Sequence, residues 1–342
     1  MSGASMAGRC GAFERDVGAS GACEASHDPA PAAADELEGA RQAEGVAEED
    51  GRGGVAPASP GVRAKSSDGC AVRVAPAQPE PLFRIRDASV VRAGKTILHI
   101  DDFTLAEGEH IALLGPNGAG KSTFIKLLTR EVMPLHRPCA PVVFRGSERP
   151  TLAAIRAHLG VVSASMHDQA AVHLPAVDIV CGGFFGTLGL PRGVRATDAM
   201  RRAAYDALDR MRIADVAERD MLTLSTGQAR RVLIARELVH DPKALVLDEP
   251  CTGLDPQGMY QVRSALCDLA DEGRSLILVT HYPEDIVPAI KRVALVKHAA
   301  LRADGPKEAL LTDESMSALF EAPLHVEERD GWYALRGVFP PR

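Results

Sequence analysis

The stretch Ile111-Ala112-Leu113-Leu114-Gly115-Pro116-Asn117-Gly118-Ala119-Gly120-Lys121-Ser122-Thr123-Phe124-Ile125 decides the fold. Its first four residues are apolar without alternation, which predicts a short strand buried on both faces of a mainly parallel sheet. Gly115 to Thr123 fits G-x-x-x-x-G-K-[ST], and the apolar-periodic run from Phe124 predicts a helix. A strand, a glycine-rich turn and a helix in that order form a phosphate cradle. The glycines let backbone N–H groups turn inward around an anion, and the helix N-terminus adds positive potential at the same spot. Lys121 supplies a point charge to the β- and γ-phosphates, and the Ser122 hydroxyl can ligate Mg²⁺.

Upstream of this unit, Leu82-Phe83-Arg84-Ile85-Arg86, Thr96-Ile97-Leu98-His99-Ile100 and Asp102-Phe103-Thr104-Leu105 read as three strands. Gly94 and Gly108 mark the turns, so a small antiparallel sheet is expected. Downstream, short apolar runs at 142–144, 160–162, 244–247, 276–279 and 293–296 are separated by helical stretches, the pattern of a mainly parallel α/β sheet. Residues 198–217 carry helical periodicity (Met200, Ala204, Leu208, Met211) and many charges, and read as part of a helical insertion. Leu245-Val246-Leu247-Asp248-Glu249-Pro250 is a buried strand ending in two carboxylates. Such a pair at a sheet edge suits a metal site plus a base, with Asp248 toward Mg²⁺ and Glu249 toward an attacking water.

These motifs, with Leu224-Ser225-Thr226-Gly227-Gln228 between them, resemble the ATP-binding cassette (ABC) ATPases over about residues 82–326. The last stretch is similar to the family signature LSGGQ, with Thr226 replacing its first glycine. The resemblance implies a P-loop NTPase fold: a RecA-like core, an antiparallel β subdomain and a helical insertion at about 165–225. It implies ATP and Mg²⁺ as ligands and hydrolysis by in-line attack of water on the γ-phosphate. Ser225, Gly227 and Gln228 would then contact the nucleotide of a partner cassette in a head-to-tail dimer. Thr252-Gly253-Leu254-Asp255 resembles the loop that couples the two sites, which places Asp255 there. His281, 33 residues after Asp248, matches the switch histidine that holds the attacking water with Glu249.

Two family features are altered. Arg92 stands where an aromatic residue stacks on adenine, and a guanidinium plane can stack on a base. The glutamine expected after the 160–162 strand is replaced by Ala164; Gln169, five residues later, reaches the metal only if the loop bulges. In transporters of the family, the region around Val177 to Leu188 lines the groove for a membrane subunit, a role open to Phe184, Phe185 and Leu188. Residues 303–320 resemble the tail of importer-type ATPases for metal-chelate substrates.

The chain has 342 residues with a formal net charge of −7, yet residues 1–80 hold 13 acidic and 7 basic side chains. The remaining 262 residues net only −1, so acidity describes the first segment and not the ATPase. That segment is rich in Ala, Gly and Pro with Leu37 as its only leucine, and is expected to be unfolded; residues 81–342 are expected to form the ATPase domain. No apolar run reaches membrane-spanning length, no secretory signal is recognisable, and seven irregularly spaced cysteines suit a reducing compartment. The expectation is a cytoplasmic protein on the inner face of the cell membrane, a homodimer or paired cassette with a separate permease. A substrate-binding protein would act through that permease, and no direct nucleic-acid partner is expected. The competing class is a soluble ABC ATPase acting on nucleic acid, ribosomes or other cytosolic partners.

Overall fold

The computed structural model describes residues 80–339; the acidic segment expected to be unfolded lies, apart from Glu80, outside them. The strands are β1 (Phe83–Arg92), β2 (Lys95–Leu105), β3 (Ile111–Leu114), β4 (Val142–Phe144), β5 (Leu159–Val162), β6 (Ala244–Asp248), β7 (Ser275–Thr280), β8 (Arg292–Lys297), β9 (Ala300–Pro306), β10 (Leu324–Arg329) and β11 (Trp332–Gly337). The helices are α1 (Lys121–Leu128), α2 (Leu152–His158), α3 (Ala164–Gln169), α4 (Ala176–Cys181), α5 (Asp198–Arg210), α6 (Thr226–Leu238), α7 (Pro256–Asp271), α8 (Lys307–Leu310) and α9 (Asp313–Phe320).

Among the described residues, nine strands make one sheet in the order β4-β1-β2-β9-β8-β3-β7-β6-β5. The block β8-β3-β7-β6-β5 is parallel, while β1–β2, β1–β4 and β8–β9 are antiparallel. The expected RecA-like core and antiparallel β extension are thus both present. One expectation needs correction: the two strands anticipated at 96–105 are the single strand β2, whose exposed Asp101 and Asp102 interrupt the apolar pattern without breaking the ladder to β1.

Period-two alternation in the parallel strands sorts side chains into two cores. Ala112, Leu114, Leu245, Leu247, Leu276 and Leu278 face one layer, packed with α4, α5, α6 and α7. Ile111, Leu113, Val246, Ile277 and Val279 face the other, packed with α1 and the β1–β2 sheet. All eleven are fully buried, each worth about 1.5–3 kcal/mol for the larger side chains. This explains the unbroken apolar runs: both faces of these strands are covered.

Beyond the sheet, β10 and β11 form a separate two-stranded hairpin that sequence reading missed. Its signal was present in Asp330-Gly331, both at positive φ, the preferred pair for a two-residue hairpin turn.

Candidate functional site

The parallel register sets the site. Leu114 pairs with Thr280 across β3–β7, and Asp248 with Val279 across β6–β7. The chain therefore leaves the sheet at Gly115, Glu249 and His281 along one edge, the carboxyl ends of adjacent strands, where α/β sheets bind ligands. Glu249 turns away at φ 52 while its N–H still donates to Val279 O at 2.8 Å. A non-glycine residue in that region is strained, a cost tolerated at functional sites.

An open cleft of about 640 Å³ sits at this edge. Asn117, Gly118, Gly120, Lys121, Ser122 and Thr123 line it, together with Glu249 and Arg92. Gly115, Pro116 and Ala119 shape the loop from behind. Gly115 packs so closely that a Cβ there would lie 2.1 Å from Val296 O. Gly120, at φ 114, is the N-cap of α1 and offers no side-chain cap, whereas Thr151, Thr197, Ser225, Asp255 and Thr312 cap their helices with their own oxygens. The first N–H groups of α1 are left for an anion. Lys121 is buried, its Nζ donating to Gly115 O (2.7 Å) and Pro116 O (3.1 Å). Burial lowers its pKa, against the opposing pull of Glu249 and Asp248. These features fit a triphosphate.

His281 Nδ1 lies 2.9 Å from Glu249 Oε1, so the ring N–H donates to the carboxylate. Thr252 Oγ1 donates to Glu249 Oε2 at 3.3 Å. His281 is not itself on the cleft wall and reaches it through Glu249. Asp248 is buried at the end of β6, and desolvation, followed by the neighbouring Glu249 charge, pushes its pKa up to about 6 while Lys121 pulls it down. Asp248 at the end of β6, with Glu249 and the Ser122 hydroxyl on the cleft wall, supplies oxygen donors of the kind Mg²⁺ takes. No cluster of three or more His, Cys, Asp or Glu among the described residues could hold a metal alone. A cation here would share its coordination with phosphate oxygens and water, the usual habit of Mg²⁺.

Behind His281 lies a support that sequence reasoning missed. Asp285 is buried and accepts from Arg263 (2.8 Å) and from Thr280 Oγ1 (2.9 Å). Thr280 Oγ1 in turn accepts from Tyr282 N at 3.0 Å. This chain fixes the backbone on both sides of His281. Cys251 is buried close by, and desolvation plus the Asp285 charge push its thiol up to about 12. Thiolate is the reactive form, so iodoacetamide at pH 8 is expected to leave Cys251 unmodified in the native protein while exposed Cys139 reacts. Peptide mass mapping checks this, and comparable labelling of both would show that the pocket opens.

The signature residues stand apart from the cleft. Ser225 caps α6, accepting from Gln228 N at 3.2 Å, while Gln228 Oε1 accepts from Ser225 N at 3.0 Å. That reciprocal capping box occupies the Gln228 carbonyl locally. Asp255 caps α7 by accepting from Gly258 N at 2.7 Å. The two helix starts meet at glycines, since a Cβ on Gly227 would come within 3.2 Å of Gly258 Cα. Ser225 and Asp255 are exposed at the two helix starts, with Gly227 buried between them, and none of Ser225, Gly227, Gln228 and Asp255 lines the cleft of the same chain.

Gln169 is not brought to the cleft. The segment after β5 is the helix α3 and not a bulged loop, and Gln169 is exposed at its far end. Leu188 is half-buried against the core, contrary to its exposed expectation. Phe184 and Phe185 are exposed and line a second cavity of about 620 Å³, with Arg130, Arg156, Glu237 and His240 on its walls. No helix among the described residues is long and apolar enough to cross a membrane.

Residues 98–252 match the family described as ABC transporter. An uncharacterised ABC transporter ATP-binding protein of Bacillus subtilis is 30% identical over 247 residues, covering 72% of this chain and 93% of that protein. A cobalt import ATP-binding protein of Rhodobacter capsulatus is 36% identical over 222 residues, covering 64% of this chain and 77% of its own. Among solved structures, a metal-chelate type ABC transporter in an inward-facing conformation matches with a TM-score of 0.61 at 23% identity, over 76% of this chain and 98% of that chain; that likeness speaks for the fold alone.

Proposed function

The chain belongs to the ATP-binding cassette family, and we propose that it uses Glu249 as the general base of an ATPase that powers a separate membrane permease. It hydrolyses ATP as the ATP-binding subunit of an ABC transporter. The observation that carries the mechanism is the 2.9 Å hydrogen bond from His281 to Glu249 at the wall of the cleft that holds Lys121.

Lys121 and the free N–H groups of α1 receive the β- and γ-phosphates. Ser122 and Asp248 would hold Mg²⁺, which would supply charge neutralisation on the phosphate oxygens. Glu249 orients a water and takes its proton, and His281 fixes the carboxylate through Nδ1. Catalysis is then mostly positioning and electrostatics. Ser225 and Gly227 lie away from the cleft of their own chain, which supports a head-to-tail dimer in which a second copy closes each nucleotide. The positive dipole end of α6 favours such a phosphate contact.

The exposed Phe184 and Phe185 beside the second cavity receive the permease at the inner face of the membrane. A substrate-binding protein, where present, acts through that permease. Changing both Phe184 and Phe185 to Asp is expected to leave basal ATP turnover within twofold. Recovery of a membrane permease subunit with the tagged protein should fall at least tenfold, because two desolvated aromatics become charges. Undiminished recovery would place the permease contact elsewhere.

A further inference from the structure

His298 and Ala299 join β8 to β9, and the register pairs Lys297 with Ala300, leaving a two-residue loop. Both residues sit at positive φ, 52 and 58. Asn-Gly or Gly-Gly would make this turn without strain, and neither residue here is a glycine. What holds the turn is the phosphate loop on one side and β2 on the other. Ala299 N donates to Ala119 O at 3.0 Å, and Ala299 O accepts from His99 N at 2.7 Å. The turn is thereby pinned against the nucleotide cradle, and His298 lines the cleft.

The cleft has a chemical direction. Lys121, Ser122 and Glu249 mark its phosphate end. The rest of its wall is supplied by Arg92, Lys95, Thr96 and Ile97 from the β1–β2 region and by the His298–Ala299 turn. A nucleoside extending from the phosphates must meet those residues. None of the lining residues is Phe, Tyr or Trp; His298 carries the aromatic ring among them, and it sits between this cleft and an adjoining cavity lined by Phe320 and Glu321. Its Nε2 is 3.6 Å from Glu321 Oε1, which also pairs with Lys297 at 2.9 Å, so a carboxylate from α9's C-cap anchors the turn.

We propose that His298 recognises the purine base of the bound nucleotide, its imidazole serving with the Arg92 guanidinium as the planar surface on which the base rests. Imidazole and guanidinium planes both stack on bases. The strained turn is the device that presents the ring, and its tie to Ala119 couples ring position to the phosphate loop. The inference rests on the ATP-binding reading above and names the nucleoside contact of that same site.

The test compares binding of Mg-ATP and of inorganic tripolyphosphate with Mg²⁺ to the full chain, to His298→Ala and to His298→Phe, by titration calorimetry. Loss of one stacked base contact is expected to weaken ATP about tenfold in His298→Ala. Tripolyphosphate, which has no base, should bind all three proteins within twofold, and His298→Phe should bind ATP within about threefold of the unaltered chain. Unchanged ATP affinity in His298→Ala overturns the proposal, as does an equal loss for tripolyphosphate, which would make the residue a support of the phosphate loop. An unaltered chain that binds neither ligand overturns the ATP-binding reading itself.

Discussion

Glu249→Gln is expected to lower ATP turnover by about a thousandfold, within the 10²–10⁴ range attributed to a positioned general base. ATP affinity should stay within about twofold. The amide keeps the shape of the carboxylate and still offers an oxygen to His281 Nδ1, which now lies 2.9 Å from Glu249 Oε1. It cannot take a proton from water. The phosphate cradle belongs to β3, the loop and α1, and none of its hydrogen bonds uses Glu249. Steady-state phosphate release and equilibrium ATP titration separate the two effects. Turnover within twofold of the unaltered protein would remove Glu249 from the role of base.

Gly115→Ala should be the most damaging single methyl group in the site. Its Cβ would stand 2.1 Å from Val296 O and 3.1 Å from Val296 C. Both are backbone atoms of β8, which is locked to β3 by the pairing of Leu114 with Leu295, so neither side can give way without breaking the ladder. Overpacking of this kind costs about 3 kcal/mol, equivalent to a fall of roughly 6–12 °C in Tm for a domain of this size. ATP affinity should drop at least tenfold as the loop is displaced. Gly118→Ala is the control: nothing lies within 4 Å of its Cβ, and only its φ of 77 opposes a side chain, a strain of about 1–2 kcal/mol. Thermal unfolding and ATP titration of both variants decide the matter, and equal losses would mean that backbone strain, not the approach to Val296, governs the loop.

Much of the site was legible because its chemistry requires particular residues within one local unit. Gly115 to Thr123 span a single strand–turn–helix, and Asp248 and Glu249 end a single strand, so spacing alone exposes them. Ser225 was readable because the contiguous run Leu224 to Gln228 resembles the family signature. Gln169 was misplaced because a helix of six residues leaves too short a period to detect, and α3 therefore passed for a loop. His298 escaped because a two-residue hairpin turn without glycine or asparagine carries no turn signal. Asp285 and Arg263 escaped because an isolated acid and an isolated base, 22 residues apart, look like surface charges until burial pairs them.

The sequence by itself determined the chemical groups: a cradle of N–H donors and a lysine, two acids at a strand end, a capped helix carrying the signature. It also determined that the parallel strands would be buried on both faces, since they carry no polar alternation. Only the tertiary structure decided which groups meet. Strand β7 inserts between β3 and β6, although every element from α1 to α7 separates it from β3 in the chain. Its hydrogen-bond register sets Thr280 level with Leu114 and Val279 level with Asp248. That register brings His281 to Glu249 across 32 residues of sequence, with Glu249 on the cleft wall beside Lys121. The strained turn at His298 likewise acquires its place from contacts with Ala119 and His99. Long-range ladders and close backbone approaches are set by packing among distant segments, and no local pattern of residue types records them.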